Sequence, residues 1–90
     1  MARKPNNVSW LVFNDAQAKL LDRIDFHGNN GWARNSQSDA LMPIILTEVT
    51  HADMTIEQVT HAMSSIGYSW MALRRLERWE SKRLTGRFGT

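Results

Sequence analysis

Tyr68-Ser69-Trp70-Met71-Ala72-Leu73-Arg74-Arg75-Leu76-Glu77-Arg78-Trp79-Glu80-Ser81-Lys82-Arg83 is the stretch on which the reading of this chain turns. On a helix of about 100° per residue, Ala72, Leu73, Leu76 and Trp79 share one arc. Arg74, Arg75, Arg78 and Lys82 share the opposite arc, within about 100° of one another, and Met71 lies among them. Glu77 falls outside the basic arc. Glu80 and Arg83 project on the apolar side, which predicts that the packed part of the helix ends near Trp79. One side packs, and the other carries a row of cations with no acid among them.

The charge of the whole chain sharpens the contrast. The net charge is only +2 over 90 residues, but it is unevenly spread. Residues 5–73 hold three cations against seven anions, and residues 74–90 hold six cations against two anions. An acidic body with a basic end points to a polyanionic partner for that end. Guanidinium groups on a helical ridge suit a phosphate backbone, and they also suit guanine edges in the major groove, which admits an α-helix.

Ahead of this helix the spacing predicts a short one over Thr55–Met63. Asp53 or Thr55 caps it, and Ile56, Val59, Ala62 and Met63 form its inner face. Ser64-Ser65-Ile66-Gly67 reads as a turn. Helix, turn and basic helix together make a helix-turn-helix arrangement, in which the first helix braces the second.

Residues 55–90 thereby resemble the helix-turn-helix family of DNA-binding domains, especially its winged form. The resemblance rests on Val59, Ala62 and Met63 before the turn, Ile66 within it, Leu73 and Leu76 after it, and Leu84-Thr85-Gly86-Arg87-Phe88 at the end. It implies a rudimentary wing in the tail. It also implies that Tyr68, Ser69, Met71, Arg74, Arg75 and Arg78 face the groove, while Lys82, Arg83 and Arg87 hold phosphates. A lone domain of this size has a small footprint on double-stranded DNA, so specific binding calls for a homodimer on a two-fold site.

Working further outward, Asn14–His27 reads as a first helix. Asn14 and Gln17 have capping-box spacing. Asp15 lies in the first turn, where the helix dipole favours an anion. Leu20, Leu21 and Ile24 form the apolar stripe, and Gly28-Asn29-Asn30-Gly31 reads as the stop. Trp32–Gln37 reads as a loop. A further helix over about 39–51 is capped by Ser38 or a neighbour, with Pro43 within its first turn. Residues 50–54 connect it to the next. Residues 1–7 form a basic arm, and Val8–Phe13 reads as either a short strand or a lead-in to the first helix. The expected whole is one mostly α domain of three to four helices over residues 8–90, with the helix-turn-helix at about 55–82 and a basic tail over 83–90.

Several functions are excluded or disfavoured. A chain that is 42% hydrophobic is too apolar for a disordered protein. With no cysteine, disulfides, thiolate zinc sites and cysteine catalysis are ruled out. Small secreted domains usually carry disulfides, so a cytoplasmic location is expected. Val8–Phe13 is too short to span a membrane. His27, His51 and His61 lack metal-ligand spacing, and no phosphate-cradling loop, nucleophile elbow or HExxH motif occurs, so neither an enzyme nor a cofactor site is expected.

The basic row also has a plain reading as a solvated face, with Arg74–Glu77 and Glu80–Arg83 as surface ion pairs. The competing function is a small interaction or inhibitor protein, which predicts an exposed apolar patch around Trp10, Trp32 or Trp70. RNA binding ranks lower, because the aromatic sheet motif of common RNA-binding domains is missing.

Overall fold

Capping chemistry and apolar spacing place four helices: α1 Asp15–Asn30, α2 Met42–His51, α3 Ile56–Ser65 and α4 Trp70–Leu84. The computed structural model describes residues 10–35 and 38–85, and no strand occurs among them. The basic arm, the glycine-bearing tail with Arg87 and the rudimentary wing lie outside the described residues. Of the Val8–Phe13 stretch that the sequence leaves open, residues 10–13 are described and hold no strand. Phe13 N–H donates to the Trp10 carbonyl at 3.0 Å, closing a tight turn that leads into α1.

Asn14 starts α1 with a reciprocal pair of bonds. Gln17 N–H donates to Asn14 Oδ1 at 2.9 Å, and Asn14 N–H donates to Gln17 Oε1 at 3.1 Å. The Gln17 amide also donates to the Ala52 carbonyl at 2.8 Å, tying the start of α1 to the end of α2. Thr55 and Gln58 repeat the same box at the start of α3.

α1 runs three residues past His27 to Asn30, and its stop falls at Gly31, the last of the four residues read as the stop. Gly28 serves close packing instead. A Cβ there would lie 2.5 Å from Tyr68 Oη and 2.9 Å from Tyr68 Cε2. A segment that reads as punctuation is therefore a contact surface for the residue ahead of α4.

The turn before α4 also differs from its expected bounds. Ser64 and Ser65 are helical, and the chain leaves α3 through Ile66 and Gly67. Gly67 has φ +103°, a conformation that favours glycine. Tyr68 N–H donates to Met63 O at 3.1 Å, and Gly67 N–H donates to Ser64 O at 3.0 Å. These are the paired bonds of a Schellman helix end. The same pair closes α2, where Met54 N–H reaches Val49 O and Asp53 N–H reaches Thr50 O, both at 3.1 Å. There Asp53 takes the left-handed position at φ 59°.

Pro43 is the second residue of α2, where its missing N–H costs no helical bond. The side-chain cap expected from Ser38 or a neighbour does not form, since Leu41 stands at the N-cap of α2 without one; Asp39 instead accepts Leu41 N–H on Oδ1 at 2.9 Å in the turn before the helix. Its other oxygen meets His27 Nδ1 at 2.9 Å, joining the end of α1 to the start of α2.

One core unites the helices. Leu21, Ile24, Met42, Ile45, Leu46, Val49, Val59, Met63 and Leu76 are fully buried in it. Trp10 and Trp32 complete it as full members, where the sequence places them at core edges. Their indole N–H groups are satisfied by backbone, Trp10 on Ala62 O at 3.2 Å and Trp32 on Ile24 O at 2.8 Å. α4 packs on α2 and α3, and α1 packs on the same two helices.

Candidate functional site

Ser69 opens α4, its Oγ accepting Ala72 N–H at 3.2 Å. From that fixed start, helical spacing sends Ala72, Leu76 and Trp79 into the core. Trp70, Met71, Arg74 and Arg78 are left exposed on the outside. Trp70 is 68% exposed and Met71 55% exposed, although both are large and apolar. Together with Arg74, Arg75 and Arg78 they line a shallow hollow of about 340 Å³.

The cations of the row are not equivalent. The Arg74 guanidinium carbon lies 5.8 Å from the centroid of the Trp70 ring, within reach of a cation–π contact. Arg78 is exposed one turn further on. Arg75 is half-buried and donates through Nη1 to the Ala33 carbonyl. That bond ties the loop between α1 and α2 to α4. Lys82 is half-buried.

Arg83 belongs to a different environment. It donates to Glu80 and, through Nη2, to Thr50 Oγ1 of α2 at 3.1 Å. Glu80 is only 8% exposed. The packed side of α4 therefore runs past Trp79, beyond the expected limit. An ion pair and a hydroxyl extend it where apolar groups run out. Of the two surface pairs that the sequence offers, Glu80–Arg83 forms, and Arg74 lies over Trp70.

Tyr68 is placed elsewhere than the groove-facing position implied for it. Its ring stacks on Trp32 with centroids 5.2 Å apart and planes 13° apart. Its hydroxyl donates toward Asp25, 2.7 Å from Oδ1 and 2.9 Å from the backbone carbonyl. Burial, reinforced by the Asp25 carboxylate, pushes its pKa well above the ordinary tyrosine value. Tyr68 is thus an internal strut between α1 and the start of α4.

On the other side of Trp70, a second hollow runs toward α3, and Arg74 lines it together with Glu57 and Glu77. Trp70 and Arg74 thus stand at the border of a basic hollow and an acid-bearing one, while Arg75 and Arg78 line the basic one. Two features of the site escape the sequence. The tie from Arg75 to Ala33, 42 positions earlier, forms only in the tertiary structure. Trp70 falls between the two arcs of the helical projection, so spacing alone leaves its exposure undecided.

Among the described residues, no group of three or more His, Asp or Glu side chains is placed to hold a metal ion. No helix among them is long and apolar enough to cross a membrane. The chain matches no protein-family model, no curated protein and no solved structure.

Proposed function

We propose that this chain binds double-stranded DNA through the outer side of α4 and serves as a transcriptional regulator or accessory DNA-binding protein. The observation that carries the reading is the exposed row of Trp70, Met71, Arg74 and Arg78 on a helix whose other side is locked into the core. α3 braces α4 through a tight turn, the arrangement in which a second helix enters the major groove. Arg74 and Arg78 act on bases or phosphates. Lys82 and Arg87 hold the backbone and set register. Arg75 contributes charge while staying tied to Ala33. Ser69 keeps a hydroxyl proton for a phosphate even while it caps α4. Arg83, bound to Glu80 and Thr50, contributes less. Specific recognition uses two copies on a two-fold site.

The test is binding to random double-stranded DNA by fluorescence anisotropy over a salt series. The Arg74→Ala/Arg78→Ala double variant runs alongside. Affinity should fall steeply with salt, and the variant should lower the log–log salt slope by about two. No binding at low salt sinks the reading. The exposure of Trp70 and Met71 then favours the second reading, a docking surface for a protein partner.

A further inference from the structure

We propose that Trp70 is a positioning residue that holds the Arg74 guanidinium so that Arg74 reads a guanine edge in the major groove. This rests on the DNA-binding reading above. Arginine has a planar head with all its donors in the plane. A ring stacked on the head's face engages the positive charge and leaves those in-plane donors free. Arg74 over Trp70 has that contact, at 5.8 Å from the ring centroid. The head is therefore restrained before any ligand arrives, which lowers the entropy lost when it forms two bonds at once.

Position along α4 supports a base-reading role over a phosphate role. Trp70 is the first residue of the helix and Arg74 the fifth. In helix-turn-helix docking it is the N-terminal part of the second helix that meets base edges. Guanine presents O6 and N7 as two acceptors side by side, matched to the fork of an arginine. Arg75 has no comparable freedom, since its head is committed to the Ala33 carbonyl. The backbone of Trp70 lies in the Ser69-capped first turn, so its ring is carried at the start of the helix.

The experiment selects a preferred duplex from a random library with the full chain. Each dG of that duplex is then replaced in turn by 7-deazaguanine, which removes the N7 acceptor. At one position the wild type should weaken about tenfold. Trp70→Ala and Arg74→Lys should each lose that sensitivity, and each should weaken the selected duplex more than a scrambled one. The Arg74→Lys salt slope should stay unchanged, because the charge remains. Trp70→Phe, which keeps a ring, should retain most of the sensitivity. The Trp70→Ala/Arg74→Lys double variant should be no worse than either single one, the mark of two residues acting as one unit.

The proposal is overturned if Trp70→Ala keeps full sensitivity to 7-deazaguanine. It is also overturned if Trp70→Ala weakens the selected and scrambled duplexes equally. Salt-dependent binding with no selectable sequence overturns this inference and leaves the DNA-binding reading standing. No DNA binding at all overturns both.

Discussion

Trp32 lies wholly inside the fold, its indole N–H on the Ile24 carbonyl and its face on Tyr68. Trp70 lies mostly in water, with Arg74 against its ring. Both indoles have a planar partner over the ring, but their surroundings differ in kind. Around Trp32 each polar group is satisfied from within the chain, and Gly28 clears space for the ring of Tyr68. Around Trp70 the partner is an exposed cation. The first pair holds α1 to the start of α4, and the second leaves unspent binding capacity on the surface. An exposed aromatic on a rigid helix start, beside arginines, is a feature that stability alone does not call for.

Substitutions can break this contrast, and the largest effect belongs to Trp32. Trp32→Ala removes a fully buried indole and should cost about 3–5 kcal/mol. Since small domains have only about 5–15 kcal/mol in total, the variant should show a sharply lower urea midpoint or fail to fold.

Tyr68→Phe keeps the stack on Trp32 and removes only the hydroxyl, so it should cost about 1–2 kcal/mol at neutral pH. It should also change the alkaline limb. In the folded wild type the Tyr68 hydroxyl keeps its proton where the unfolded chain has lost it. Stability from this group is thus complete below the ordinary tyrosine pKa of about 10 and declines as pH rises above it. Urea unfolding at pH 8 and pH 11 should give a smaller loss for Tyr68→Phe than for the wild type.

Trp70→Ala marks the small end. It should change stability by less than about 1 kcal/mol, the range of an exposed cation–π contact, while DNA binding suffers. A large loss of stability on chemical denaturation would place Trp70 with Trp32 as a structural residue and erase the distinction.

Helix starts were the most legible part of the sequence, because a cap is a local event. Asn14 with Gln17, and Thr55 ahead of α3, act within one turn of themselves. The inner arc of α4 was equally legible through Ala72, Leu76 and Trp79, since a 3.6-residue period needs no partner to be seen. What escaped was decided by distant groups. Gly28 resembles a stop, but Tyr68, 40 positions later, sets its role. Arg75 sits in the basic row by spacing, yet the Ala33 carbonyl takes one of its donors. Glu80 and Arg83 look misplaced on an apolar side until Thr50 is brought beside them. For the candidate site, the row of cations was visible, whereas its division into committed and available members was not.

The Trp10 contact gives the domain an unusual dependence. Trp10 precedes every helix, yet its indole is anchored on Ala62, within the helix that braces α4. A protease cut just after Phe13 would leave all four helices covalently intact. It would nevertheless withdraw the largest side chain from beneath α3, so the loss would register at the far end of the chain, in the footing of the basic helix.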